Sequence, residues 1–378
     1  MELWKKFGER SSFYQFFFNF ALIMNKINTD HKIALLLHGG IKGDRGKTGL
    51  SLLRYSPCPT VVVIDRDSVD ESLADLTGIS SGVSSQAPIV GSVAAALAYQ
   101  PDILVIGLAP SGGAFPEAWR QELKEAIEAG LSVVNGLHTP LAQDPELAAL
   151  LQLGQWIWDV RQEPESLGIG RGQAQYLSCR RILTVGTDMA IGKMSTSLEL
   201  HKTAQSRGLK SKFLATGQAG IMIAGTGIAL DAVRVDFAAG AIEQLVLKEG
   251  GDQDLVIIEG QGSLLHPGST ATLPLLRGSQ PTDMILVHRW GQEHIKDHPD
   301  FRIPPLPEVI KLYETVAMGA RVKAIALNTA LLDELTALEV IAYTQAATGL
   351  PCTDAVRFGA DILLEAILSE ASTYGINT

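Results

Sequence analysis

Charge is scarce in this 378-residue chain: 19% of its residues are charged, and 41 acidic against 31 basic side chains leave a formal net charge of −10. No Lys/Arg-rich block occurs. A nucleic-acid backbone or an anionic membrane needs a clustered basic surface, so neither is an expected partner. Cysteine is scarcer still. Cys58, Cys179 and Cys352 lie far apart, odd in number and without metal-ligand spacing. That pattern speaks against a disulfide framework and fits a reducing cytoplasm. Long hydrophobic runs are also missing. The apolar stretch 13–24 imitates a signal-peptide core, yet it is too short to span a bilayer and no small-x-small cleavage site follows it. It reads as an interfacial or packing helix, or as sequence ahead of a true start at Met24.

What is present is ample apolar material, 46% of the residues, in a chain longer than one hydrophobic core usually holds. Two domains are expected. Short apolar runs at 33–37, 61–64, 103–106 and 131–134 alternate with helix-length segments such as 90–99 and 116–129. A second series has runs at 181–185, 211–215, 255–258, 284–287 and 323–327. Alternating β and α units predict parallel sheets covered on both faces, with ligand sites at the strands' C-terminal ends. The expected fold class is therefore α/β, with an N-terminal Rossmann-like parallel sheet and a C-terminal P-loop NTPase-like parallel sheet. The expected divisions are an N-terminal extension 1–30, a first domain 31–153, a join 154–180 and a second domain 181–378.

The clearest chemistry lies between the 181–185 run and a helix-length stretch closed by Gly208. There Gly186, Thr187, Asp188, Gly192, Lys193, Met194, Ser195 and Thr196 form a glycine-bounded loop opening a helix. Such a loop points backbone N–H groups inward, the helix N-terminus adds partial positive charge, and Lys193 adds a full one. Phosphate is its natural occupant. Two departures from the common pattern matter: five residues separate the glycines, and Met194 stands where Ser or Thr usually ligates Mg²⁺. The 255–258 run ends in Glu259, a carboxylate that either holds Mg²⁺ or its water, or caps a loop.

Other candidates surround this pair. Gln218, Asp231 and Asp236 fall between the loop and Glu259; Gln218 is read as a substrate contact, and the two carboxylates suit metal binding or proton transfer from an amine, although Asp236 equally suits a helix N-cap. His266 is the best-placed histidine for acid/base work, and a satisfied loop histidine is the alternative. His288, His294 and His298 show no tight pair and read as a solvated segment. Asn328, after the 323–327 run, suits either a base edge or a turn cap. In the first half, the loop Gly40 to Thr48 resembles a second P-loop, but only about two turns of helix fit before Pro57. Lys47, Thr48 and Arg54 are read there as contacts for an anionic substrate, against a solvated glycine-rich turn. Asp65 and the 108–113 loop are weak cofactor candidates at the ends of the next strands.

With these residues in view, the C-terminal half resembles the dethiobiotin synthetase group of P-loop proteins in its five-residue spacing and its Glu259-Gly260 strand end. From about Ile33 onward the chain resembles more closely the D-glutamate N-acetyltransferase family. Lys47-Thr48 with Arg54-Tyr55, Trp158-Asp159-Val160-Arg161, the loop from Gly186 to Thr196, Asp236-Phe237 and Glu259-Gly260-Gln261-Gly262-Ser263 carry the likeness. The resemblance implies transfer of an acetyl group from acetyl-CoA to the amine of D-glutamate or a related acidic amino acid, with Glu259, Asp236 or His266 as base. The alternatives are an ATP- and Mg²⁺-dependent ligase or kinase, with Ser195 and Glu259 as metal ligands, and a non-catalytic nucleotide-binding protein. Extensive apolar content and the Phe-rich N-terminus point to a homo-oligomer.

Overall fold

A computed structural model describes residues 27–79, 82–109 and 113–369. The apolar 13–24 run and residues 110–112 of the 108–113 loop lie outside them. The chain divides into two compact units, the first ending at Asp159 and the second beginning at Val160.

The first unit is built on six parallel strands: β1 (Ile33–Leu36), β2 (Thr60–Ile64), β3 (Ile89–Val90), β4 (Ile103–Ile106), β5 (Ser132–Asn135) and β6 (Ile157–Asp159). Their order is β3-β2-β1-β4-β5-β6, and every neighbouring pair is parallel. The order of strand addition thus reverses between β1 and β4, as in a Rossmann-like doubly wound fold. β6 falls inside the segment read as a join. It is held there because Asp159 accepts from Asn135 Nδ2 at 2.7 Å, Leu141 N at 3.0 Å and Ala142 N at 2.9 Å. One face of the sheet, with Leu36, Ile64, Leu104 and Ile106, packs on Leu123, Ala126 and Ile127 of the helix Arg120–Glu128. Full burial of such side chains stabilises by about 1.5–3 kcal/mol each.

The second unit repeats the plan with β7 (Arg180–Gly186), β8 (Ser211–Leu214), β9 (Leu255–Ile258), β10 (Asp283–Arg289), a small antiparallel pair β11 (His294–Ile295) and β12 (His298–Arg302), β13 (Arg321–Asn328) and β14 (Cys352–Thr353). Six of them form a parallel sheet in the order β14-β13-β10-β7-β9-β8, which puts the glycine-loop strand β7 between β9 and β10. Side chains alternate between faces as a strand requires. Leu183, Val185, Val256 and Ile258 meet the helices Val235–Gly250 and Thr272–Ser279, whereas Ile182, Leu255 and Ile257 meet Leu200 of the helix Lys193–Ser206 and Leu363 and Leu364 of the helix Asp361–Leu368. Both faces are covered. Among the described residues no helix is long and apolar enough to cross a membrane.

Candidate functional site

β7 ends at Gly186, and the chain enters the helix Lys193–Ser206 through a loop that makes no regular turn. Gly192 stands at the N-cap with φ +118°, a conformation that strains any residue with a β-carbon, so the second glycine is a backbone requirement. The amides of Ala190, Ile191 and Gly192 donate to no acceptor among the described residues. Free amides beside a helix N-terminus are what an anion needs. Lys193 completes the cradle. Its ammonium is buried and donates to the carbonyl of Asp188 at 2.6 Å. Burial pulls its pKa down to about 8, against the opposing pull of the Asp188 and Glu259 charges.

Several expected loop contacts turn out to be braces. The Asp188 carboxylate is fully buried and accepts from Met189 N at 2.6 Å, Lys296 N at 2.7 Å and Gln292 Nε2 at 2.5 Å. It anchors the loop and is not a phosphate contact, as its negative charge would oppose one. Asn328 does the same from β13. Its Nδ2 donates to Ile191 O at 2.9 Å and its Oδ1 accepts from Ala330 N at 3.1 Å, so one donor and one acceptor of the amide hold loop and turn. Thr187 Oγ1 and His288 Nδ1 lie 2.9 Å apart, both buried. His288 is therefore no solvated residue, and desolvation drives its pKa down to about 4. Tyr313 supports the loop from beneath, its hydroxyl donating to Gly186 O at 2.7 Å.

Met194 and Ser195 are half-buried and Thr196 is buried in the first helical turn. A thioether is no Mg²⁺ ligand, and Ser195 lies about 100° further round the helix than Met194. Among the described residues no group of three or more His, Cys, Asp or Glu side chains could hold a metal ion.

Glu259 follows β9 beside the cradle. One of its oxygens accepts from Thr216 N at 2.8 Å and Gly217 N at 3.1 Å, which explains the Thr216-Gly217-Gln218-Ala219-Gly220 sequence after β8: it is a clamp for this carboxylate. Burial pushes the Glu259 pKa up to about 7; the two amides and the Lys193 charge oppose that shift, and Asp231 adds to it. The following loop is tied to the cradle as well. Gly260 N donates to Thr184 Oγ1 at 2.9 Å, and Ser263 Oγ donates to Thr187 O at 3.0 Å.

The remaining candidates are less central. Gln218 is half-buried at the start of the helix Gln218–Ala224. Asp236 is exposed in the first turn of the helix Val235–Gly250, whose N-cap is Arg234, so the expected N-cap role is not what it plays. His266 is largely buried, its Nδ1 accepts from Gly268 N at 3.0 Å, and its ring stands edge-on to His298 at 5.1 Å. One ring nitrogen is thus held by the loop, and Nε2 has no hydrogen-bond partner among the described residues. Asp231 pairs with Arg161 at 3.5 Å. Lys47, Thr48 and Arg54 belong to the first unit, on the nine-residue helix Lys47–Tyr55 that opens after β1. Lys47 and Arg54 are exposed, but Thr48 turns into the packing and is buried. Asp65, at the end of β2, is buried and accepts from Gly39 N at 2.8 Å.

Beside the cradle lie two neighbouring cavities that share Val235, Ser269, Thr270 and Pro274. The inner, of about 240 Å³, touches Met189, Gln261 and Asp231. The outer, of about 530 Å³, reaches Asp236 and Arg277.

Comparison with known proteins agrees with this architecture. Residues 168–364 match the family model "Domain of unknown function (DUF1611_C) P-loop domain", and residues 69–163 match "Domain of unknown function (DUF1611_N) Rossmann-like domain". A protein of Tritonibacter scottomollicae named D-glutamate N-acetyltransferase is 38% identical over 70% of this chain and 80% of its own length. One of a Pseudoalteromonas species with the same name is 35% identical over 69% and 79%. The crystal structure of a DUF1611 family protein from Anabaena variabilis is 63% identical, covers 90% of this chain and 99% of its own, and superposes with a TM-score of 0.86. With a Rossmann-like sheet, a P-loop sheet and relatives over most of its length, this chain belongs to the DUF1611 family.

Proposed function

We propose that this protein is an N-acetyltransferase that acts on D-glutamate or a related acidic amino acid with acetyl-CoA as donor. The observation that carries the reading is Glu259: a buried carboxylate, clamped by two backbone amides, whose pKa near 7 suits a base at neutral pH, placed beside an anion cradle. The names of the two bacterial relatives support the acceptor. Coenzyme A offers a pyrophosphate and a 3′-phosphate, anions that the free amides of 190–192 and Lys193 fit. No metal-bound γ-phosphate is then needed, and Met194 in place of a metal ligand costs nothing.

The ionised carboxylate of Glu259 takes one proton from the substrate ammonium. Acetyl-CoA supplies the acyl group: the amine nitrogen bonds to the thioester carbonyl carbon, the C–S bond breaks, and the sulfur departs with the nitrogen's second proton. Lys193 and the loop amides hold the donor's phosphates. Two measurements test the reading. Calorimetric titration with acetyl-CoA, ATP–Mg²⁺ and ADP, repeated with Lys193→Ala, should show acetyl-CoA binding that the substitution weakens at least tenfold. A thiol-release assay with D-glutamate, L-glutamate and small peptides should show turnover with D-glutamate. Tight Mg²⁺-dependent ATP binding without coenzyme A binding would overturn the proposal in favour of a ligase or kinase.

A further inference from the structure

We infer that Arg277 receives the side-chain carboxylate of the acceptor, making the paired cavities beside the cradle a site for dicarboxylic amino acids; this rests on the acetyl-transfer reading above. The outer cavity, at about 530 Å³, is of ligand-pocket size. Its walls are set by backbone. Gly278 packs so closely on the helix Val235–Gly250 that a β-carbon there would overlap the carbonyl of Ala239, and this contact fixes Arg277 opposite Asp236 and Ala239.

Among the described residues Arg277 is the one cation lining either cavity. It is exposed, and among the described residues it enters no ion pair. A guanidinium that lines a cavity and makes no ion pair has its fork available for a planar anion. A carboxylate suits it better than a phosphate dianion does, because the same cavities carry acids, Asp236 in the outer one and Asp231 in the inner. Asp231 in the inner cavity and Arg277 in the outer one put opposite charges at the two ends, which matches a zwitterion lying across both. Polarity sets its direction. The reacting amine belongs near Met189 and Asp231, on the cradle side, and the α-carboxylate must stay within two bonds of it. Only the distal carboxylate, two carbons further along the chain, extends toward Arg277.

The full-length protein and its Arg277→Gln and Arg277→Lys variants are compared in the thiol-release assay, with D-glutamate and D-glutamine as acceptors. Arg277→Gln should raise the KM for D-glutamate at least tenfold, leave the KM for acetyl-CoA within twofold and abolish the preference for D-glutamate over D-glutamine. Arg277→Lys should recover part of that preference. An unchanged KM for D-glutamate in an active Arg277→Gln enzyme overturns the inference and leaves acetyl transfer standing. A rise in the KM for acetyl-CoA alone overturns it too, by assigning Arg277 to the donor. If the wild type releases no thiol, the acetyl-transfer reading falls, and calorimetry with D-glutamate decides the site separately: binding lost in Arg277→Gln upholds it, and no binding to the wild type overturns it.

Discussion

The carboxylate of Glu259 leaves no room for a β-carbon at Gly220, because a methyl group there would overlap its Oε2 atom. Replacing Gly220 with Ala therefore presses on the far end of a flexible side chain more than on the backbone. Relief comes when the carboxylate leaves the Thr216 and Gly217 amides. Gly220→Ala should lower kcat at least tenfold while costing about 1–3 kcal/mol of stability, the usual range for overpacking. Thermal unfolding and the thiol-release assay check the two numbers, and full activity with the shifted Tm would show that Glu259 need not be held.

That clamp was half-legible in the sequence. Contiguous signals carried the cradle: an apolar strand, two glycines, a lysine and a helix-length run all lie within Arg180 to Ser206. Glu259 showed itself by ending the buried run of β9. Side-chain direction did not show. Asp188 sits among residues facing an anion, and only Gln292 and Lys296, 104 and 108 positions away, turn it into an anchor. Tyr313 is 127 residues from the carbonyl it supports, and no spacing rule reaches that far. The two-residue strands β3 and β14 carry no strand signal of their own, because a neighbour's register, and not their own propensity, makes them strands. Arg277 had no signal beyond a basic residue near a helix end.

Tyr313 tests how much the loop's foundation matters. Its hydroxyl donates to Gly186 O and accepts from Leu264 N at 3.3 Å, and it is wholly buried. Tyr313→Phe keeps the ring's packing but leaves a buried carbonyl and amide unpaired, which costs about 1–3 kcal/mol. Because Gly186 begins the cradle, the KM for acetyl-CoA should rise several-fold with that for D-glutamate unchanged. Calorimetry with acetyl-CoA gives the same comparison without turnover. A loss of stability with unaltered donor binding would confine Tyr313 to the core.

The rate should follow the titration of the two buried groups. A base with pKa near 7 is protonated below that value, so kcat/KM should climb tenfold per pH unit on the acid side and level off above about 7. Lys193 loses its charge as pH rises through about 8, and donor binding should weaken from there. A bell between the two is expected. Glu259→Gln should lack the acid limb, and Lys193→Arg should keep donor binding flat through the alkaline one. A wild-type profile that is level from pH 5 to 9 would exclude both groups from the chemistry.

Stability carries an opposite pair of pH dependences. Glu259 has its pKa raised from 4.5 to about 7, so its favourable contribution is complete below about 4.5 and is lost as pH rises through 7. His288 has its pKa lowered from 6.5 to about 4, so its contribution is complete above about 6.5 and is lost as pH falls through 4. Between pH 4.5 and 6.5 the folded state holds more protons than the unfolded chain at Glu259 and fewer at His288. The two slopes oppose each other, and near-equal shifts make the wild-type Tm almost level there. Glu259→Gln removes one slope and should make the protein lose stability steeply on acidification from pH 6.5 to 4.5. His288→Asn removes the other, and its Tm should rise over the same interval, measured from the lower baseline that the lost Thr187 contact sets. Thermal scans of the three proteins at half-unit pH steps make the comparison. Parallel curves for wild type and Glu259→Gln would mean that Glu259 keeps an ordinary carboxylate pKa, and with it would go the case for this residue as the base.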